Sequence, residues 1–341
     1  MPRVSVCIPT YNYAHYIAGC IRSVQAQTYD DWELVIVDNQ SSDNTEDVVR
    51  TFRDPRIHFH RNDENIGLVR NWNRCMSLAN GEYVAILPAD DYYLPRMLER
   101  SVAMLDAHPR LGFTHSSFRR VDAQGNLIDT KQYWESDWTM SGLAALQRLV
   151  LHCYVVPACV VMRRDCFREV GGFDEAFRYA VDWLMWTRLA LNYDVGYVAE
   201  PLACERPGHT SSVTVREVKK RPQVVTSEGF LLLQEAFGKL PETRDWSEIR
   251  RRAYRNLMDL HVMRTLGLLR EGDSQRFRSE IVYALRQCHS FPFRYRKMMV
   301  LSAASFLGAD FADRLNRAER EFWRAMHGEP DPVEDVDYSL V

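Results

Sequence analysis

What this 341-residue chain lacks narrows its chemistry before any motif is considered. Its eight cysteines, at 7, 20, 75, 153, 159, 166, 204 and 288, include no C-x-x-C pair and no metal-ligand spacing. Several sit in apolar runs such as Val6-Cys7-Ile8 and Ala158-Cys159-Val160, the pattern of buried thiols in a reducing compartment. No apolar run reaches the roughly 20 residues that a bilayer-spanning helix needs. The N-terminus enters a strand pattern without the basic start and long apolar core of a secretion signal. The expectation is a cytoplasmic protein, at most peripheral to the inner face of a membrane. The net charge is only −3, so nothing about the whole chain points to nucleic acid. No G-x-G-x-x-G follows the first strand pattern, which argues against a dehydrogenase-type dinucleotide fold. The P-loop signature is absent as well, so no glycine-rich backbone cradle for phosphate is expected.

Hydrophobic residues make up 46% and charged residues 26%, ordinary for a globular chain. The length suits one large α/β domain with an appendage, or two modest domains. Short apolar runs at 4–9, 32–37, 57–60 and 83–87 read as strands, each followed by a polar or acidic loop. Helices are predicted over 17–24, from near Glu46, and from Asn65-Ile66-Gly67 to Ala79. This alternation predicts a parallel sheet of right-handed βαβ units. The loops then gather at one edge, where open α/β sheets bind ligands. A further strand is predicted over 195–198, continuing to Ala203. After about residue 214 the alternation stops, and 223–237, 247–270 and 273–287 read as helices.

The densest chemistry lies in Gly81-Glu82-Tyr83-Val84-Ala85-Ile86-Leu87-Pro88-Ala89-Asp90-Asp91. A buried strand there ends in two adjacent carboxylates, with a helix expected to start at Leu94-Pro95. Neighbouring carboxylates repel unless a cation lies with them. A hard divalent ion carrying a diphosphate meets that need. Simple capping of the next helix is the competing reading.

Taken in order, several segments resemble the family 2 inverting glycosyltransferases of the GT-A fold. They are Val4-Ser5-Val6-Cys7-Ile8-Pro9-Thr10-Tyr11-Asn12, Leu34-Val35-Ile36-Val37-Asp38-Asn39-Gln40-Ser41-Ser42-Asp43-Asn44-Thr45, Asn65-Ile66-Gly67 and Leu87-Pro88-Ala89-Asp90-Asp91. Gly171-Gly172-Phe173-Asp174-Glu175, with Val181-Asp182-Trp183-Leu184-Met185-Trp186 after it, matches the same family's second signature. The resemblance implies an α/β, Rossmann-like, mostly parallel sheet flanked by helices, with a C-terminal helical region. It implies a catalytic domain over 1–213, its nucleotide-sugar half about 1–95 and its acceptor half about 96–213. A helical region over 214–327 and a disordered acidic tail over 328–341 would follow.

The activity implied is transfer of one sugar from a nucleoside diphosphate sugar, UDP or dTDP favoured, to a hydroxyl of a glycan or lipid-linked acceptor. Bacterial polysaccharide assembly is the usual setting. By the same resemblance Thr10, Tyr11 and Asp38 hold the base, and Arg70 and Asn71 reach base or ribose. Asp90 serves the ribose or supports the metal, Asp91 and His209 bind Mn²⁺ or Mg²⁺, and Asp182 is the general base. Two positions depart from the family pattern. Pro88 stands where many relatives carry an Asp, and Val181 stands where they carry a Glu, which leaves Asp182 the sole base of its motif.

Structural alternatives compete at most of these positions. Asp38 suits an Asx-turn, Asp43 and Asp182 suit helix caps, and Arg70 and Asn71 suit a solvated helix face. Trp134 and Trp138, in a stretch read as a loop, suit either an acceptor platform or closure over the core. A catalytically silent nucleotide- or glycan-binding protein on the same fold is the main alternative, favoured by Pro88 and Val181. A nucleotidyltransferase is a further alternative, although it would need no base at Asp182. The basic, aromatic stretch 291–297 leads into apolar residues 298–307, which fits a membrane interface or packing on the catalytic domain or a second copy of the chain.

Overall fold

Strands that are apolar on both faces need cover on both faces, and this governs the N-terminal part of the chain. The computed structural model describes residues 1–208 and 223–270, with 272, 273, 275–277, 279, 280 and 314. The expectations for His209, for 291–307 and for the tail 328–341 fall outside the described residues.

Strands β1 (Val4–Thr10), β2 (Trp32–Asp38) and β4 (Tyr83–Ile86) are buried along their whole length, and β3 (Ile57–Arg61) is the half-exposed edge. They pair in parallel in the order β3-β2-β1-β4, joined by α1 (Ala14–Gln25), α2 (Thr45–Val49) and α3 (Leu68–Ser77). Helix α1 buries Ile17, Cys20, Ile21 and Val24, one stripe at helical spacing. The register sets Thr10 beside Asp38, so both strands end at the same edge.

Beyond Asp91 the chain departs from expectation. Instead of a helix at Leu94-Pro95, residues Tyr92–Tyr93 form a two-residue strand, β5, and α4 begins only at Met97 (Met97–Ala107). Long-range pairing overrides the local helix signal here, because β5 pairs with a distant strand and the Leu94 N–H donates to Leu202 O at 2.8 Å. Then come β6 (Leu111–Val121), β7 (Leu127–Lys131), β8 (Trp138–Met140), α5 (Gly142–Leu149), β9 (Val160–Arg163), α6 (Arg164–Glu169), α7 (Val181–Asn192) and β10 (Asp194–Glu205).

Among the described residues the sheet has ten strands, in the order β3-β2-β1-β4-β9-β6-β10-β5, with β7 on β6 and β8 on β10. Strand β9 lies antiparallel to both β4 and β6, while β10 runs parallel to β6. The parallel pairing expected of the N-terminal alternation is present in β3-β2-β1-β4, and the second half of the sheet is mixed. The stretch read as a loop around Trp134 and Trp138 contributes β7 and β8, hydrogen-bonded to longer strands.

The chain divides into two compact units, Met1–Leu149 with Cys153–His209, and Val150–His152 with Thr210–Val341. In the second, α8 (Gln223–Gly238) packs on α9 (Arg244–Arg270), which begins earlier than the expected 247. Phe230 stacks on Tyr254 at 5.6 Å, and Gly229 leaves so little room that a Cβ there would meet Leu257 at 2.6 Å. Among the described residues no helix is long and apolar enough to cross a membrane.

Candidate active site

The loops after β1 and β2 are laced together by short polar side chains. Asp38 is fully buried, and its carboxylate accepts the Ser41 N–H at 3.1 Å and the Ser41 hydroxyl at 2.5 Å, with Arg61 at 3.4 Å. It forms the Asx-turn weighed against base recognition. Asn12 accepts the Ser42 N–H at 2.8 Å, and Asp43 accepts the N–H groups of Ala14 and Thr45, each at 3.1 Å. Thr10 is buried and its hydroxyl has no hydrogen-bond partner among the described residues. Tyr11 is half-exposed beside it.

An asparagine network holds the next wall. Asn39 donates to Asn65 Oδ1 at 2.9 Å, and its Oδ1 accepts Asn62 Nδ2 at 2.8 Å and the Ile66 N–H at 2.9 Å. Asn62 also donates to Asn71 Oδ1 at 2.9 Å, and Asn71 donates to Val37 O at 3.1 Å. The Asn65-Ile66-Gly67 motif is thus a brace, with Gly67 at φ +87° ahead of α3 in a conformation that glycine adopts without strain. Asn71 is buried within this network, so its amide supports the loop instead of reaching a nucleotide. Arg70 is exposed and pairs with Glu175 at 2.7 Å. That contact, with Asn73 bonded to both the N–H and the C=O of Phe173, seats the Gly-Gly-Phe-Asp-Glu segment on α3.

Asp90 and Asp91 leave the end of β4 at the same edge. Asp91 is only 6% exposed, and its Oδ1 accepts the Arg206 N–H at 2.8 Å. Burial and the carboxylates of Asp90 and Glu205 push its pKa well above the usual carboxylate range. Glu205 ends β10. Burial, with Asp90, Asp182 and Asp129 nearby and Arg120 opposing them, moves its pKa up to about 7. Among the described residues no Lys, Arg or His forms an ion pair with Asp91 or Glu205. The Arg206 guanidinium donates to the carbonyls of Asp90 and, at 3.2 Å, Asp122, and lies 4.4 Å from the Tyr16 ring.

These residues fit a hard divalent cation. The donors are carboxylate oxygens, held close enough to raise one another's proton affinity, a cost that a cation removes. Among the described residues no three His, Cys, Asp or Glu side chains converge on a metal position. Mg²⁺-type sites commonly use one or two carboxylates and take their remaining ligands from phosphates and water.

Asp182 stands in the first turn of α7, after Ala180 as N-cap, and accepts the Trp183 N–H at 2.8 Å. Burial pushes its pKa up to about 6. Its field reaches Glu205 and the exposed thiol of Cys153, and Glu205 in turn reaches Asp90 and Asp91. Sequence reasoning gave Glu205 no role. The available signal was its place at the end of a strand on the ligand edge.

Trp134 and Trp138 are taken up by packing. They meet edge-on at 4.9 Å, Trp138 stacks on Tyr197 at 5.4 Å, and both lie against His115. Both are half-exposed and packed among neighbouring rings, with one face of Trp138 taken up by Tyr197. Closure over the core describes them.

Comparison with known proteins gives the site its context. Residues 5–171 match the model of glycosyl transferase family 2. The UDP-Glc:alpha-D-GlcNAc-diphosphoundecaprenol beta-1,3-glucosyltransferase WfgD of Escherichia coli is 26% identical over 226 residues, 65% of this chain and 85% of that protein. The crystal structure of S. aureus TarS 1–349 in complex with UDP-GlcNAc matches with a TM-score of 0.67 at 18% identity, over 94% of this chain and 92% of that one. The mannosyltransferase PcManGT of Pyrobaculum calidifontis, in complex with GDP-Man and Mn²⁺, matches with a TM-score of 0.56 at 18% identity, over 96% and 88%. At such identities the structural likeness establishes the fold, a GT-A sheet with flanking helices.

Proposed function

We propose, from the match of residues 5–171 to the glycosyl transferase family 2 model, that the chain is an inverting, metal-dependent glycosyltransferase. The donor is a nucleoside diphosphate sugar, UDP or dTDP favoured, and the acceptor is a hydroxyl of a glycan or lipid-linked glycan. One observation carries this reading: Asp91 Oδ1 accepts the Arg206 N–H at 2.8 Å, so the acids that end β4 and β10 meet at one edge of the sheet. TarS bound to UDP-GlcNAc and PcManGT bound to GDP-Man and Mn²⁺ support the choice of ligands by analogy.

In this reading Asp182 takes the proton of the acceptor hydroxyl as its oxygen bonds to the anomeric carbon and the bond to the diphosphate breaks on the opposite face. A group poised near pH 6 is ionised at neutral pH and still a competent base. Asp91, with Asp90 beside it, would hold Mn²⁺ or Mg²⁺, whose positive charge would offset that of the departing diphosphate. Thr10 and Tyr11 face the base, and the Asp38–Ser41 turn shapes that wall. His209 is proposed as a further ligand on the family pattern alone.

Thermal-shift measurements with UDP-, dTDP-, GDP- and CDP-sugars plus Mn²⁺, followed by donor turnover with and without EDTA, test the proposal. Stabilisation by one nucleotide class and EDTA-sensitive turnover are expected. A protein indifferent to every activated sugar would refute it, and stabilisation without turnover would favour the silent binding protein.

A further inference from the structure

Asn73 is joined to a single distant residue by both halves of its amide. Its Nδ2 donates to Phe173 O at 2.8 Å, and its Oδ1 accepts the Phe173 N–H at 3.0 Å. That is the pairing a neighbouring strand would give, supplied here by one side chain across 100 residues of sequence. Gly171 and Gly172, at φ +93° and +72°, turn the chain so that both Phe173 groups meet the amide. A Cβ on Gly172 would lie 3.3 Å from Asn73 Oδ1, so the approach is close as well as double. The Phe173 side chain is buried, edge-on to Trp72 at 5.1 Å and against Phe167 at 5.3 Å.

The turn so held leads into α7. Asp174 accepts the Ala176 N–H at 3.0 Å with Oδ1 and Arg188 Nη2 at 2.8 Å with Oδ2. Arg188 stands on α7, the helix whose first turn carries Asp182. Trp183 Nε1 donates to Leu149 O at 2.6 Å, and Trp186 Nε1 to Val155 O at 3.1 Å. These fix the body of α7, and the Asn73–Phe173 and Asp174–Arg188 contacts fix the chain that enters it.

On α3, Asn71 lies two residues before Asn73, so the two amides leave roughly opposite sides of the helix. Asn71 bonds to Asn62 at 2.9 Å and to Val37 O at 3.1 Å, in the wall under the loop after β2. One helix thus braces the proposed nucleotide wall with one asparagine and the segment ahead of Asp182 with the other. We propose that Asn73 is a positioning residue for transfer: it ties the chain entering α7 to α3, so that the Asp182 carboxylate keeps its place relative to the donor. The proposal rests on the glycosyltransferase reading above, with Asp182 as base. Misplacing a reacting group by about 1 Å can cost about 10²-fold in rate, so the loss of an anchor outside the site is felt in turnover.

The test is a double-mutant cycle on the full chain, read with the UDP-, dTDP-, GDP- or CDP-sugar that the wild-type chain turns over fastest. Asn73→Ala should lower kcat by about tenfold or more while the donor KM stays within about twofold. Asn73→Asp keeps an acceptor for the Phe173 N–H but loses the donor to its C=O. Its kcat should fall between those of Asn73→Ala and wild type, and it carries the same tests if the Ala chain does not fold. In the Asp182→Asn background, Asn73→Ala should change the residual rate by less than about twofold, since an absent base cannot be misplaced. An equal loss in both backgrounds would mean general damage and overturn the proposal, as would an unchanged kcat in folded Asn73→Ala. Hydrogen exchange needs no turnover: peptides covering 171–182 should exchange about tenfold faster or more in Asn73→Ala, and those covering β1 and β2 should not. Unchanged exchange over 171–182 would also overturn it. A wild-type chain without turnover would count against the glycosyltransferase reading, while the exchange rates would still decide whether Asn73 holds the segment ahead of Asp182.

Discussion

At the ends of β1 and β2 almost every polar side chain is committed to a neighbour, whereas at the ends of β4 and β10 and the start of α7 the acids are left facing one another. Asp38 serves Ser41, Asn39 serves Asn62 and Ile66, and Asp43 serves Ala14 and Thr45. Asp91, Glu205 and Asp182 instead have proton affinities raised by burial and, for the first two, by neighbouring carboxylates. The first region is satisfied and therefore rigid. The second holds charge that the fold does not compensate, which is how binding and catalytic groups differ from structural ones.

The largest expected effect lies in the second region. Asp182→Asn should lower transfer by about 10³-fold, the usual scale for a general base. Donor affinity, read by calorimetric titration, should change by no more than about twofold; retained turnover would remove Asp182 from the mechanism. Asp91→Asn or EDTA should cost several kcal/mol of transition-state stabilisation, about 10²-fold or more in rate. The stabilisation given by Mn²⁺ with donor should vanish in that variant, and a variant still stabilised by Mn²⁺ would place the ion elsewhere.

The first region should respond in stability. Asn39→Ala strands the groups that Asn62 and Ile66 present to it, so urea unfolding should show a loss of about 2–3 kcal/mol. A loss of a few tenths would mean that the asparagine network is dispensable and the contrast between the regions weaker than drawn.

The smallest effects concern pH. Asp182 acts as a base only when ionised, so transfer should rise as pH passes about 6 and level off above. Its effect on stability has the opposite sign. The folded pKa, about 6, lies above the ordinary 3.8, so folding disfavours the charged form. That penalty is absent below about pH 3.8 and fully present above about pH 6. Asp182→Asn should therefore stabilise the chain by about 2–3 kcal/mol near pH 8 and by nothing near pH 3.5. Thermal melts at the two pH values check this, and equal shifts at both would contradict it.

The parallel half of the sheet was readable because its signals are local. Apolar runs bounded by turn formers marked β1, β2, β3 and β4 to within a residue at each end. The roles proposed for Asp90, Asp91 and Asp182 rest on motif order. What escaped was made by distant pairing. Strand β5 has only two residues and exists because β10 lies beside it. Strands β7 and β8 are extensions of β6 and β10. Asn71 carried a polar label that sequence could not assign to ligand or brace, and Trp134 and Trp138 carried aromatic labels equally open.

The sequence alone determined the family resemblance, the alternation that builds the β3-β2-β1-β4 half, and which acids stand at strand ends, because period, turn chemistry and motif spacing are properties of short stretches. Only the tertiary structure decided which polar groups are satisfied and which are left open. That depends on what another segment brings alongside, as the end of β10 brings the Arg206 N–H to Asp91.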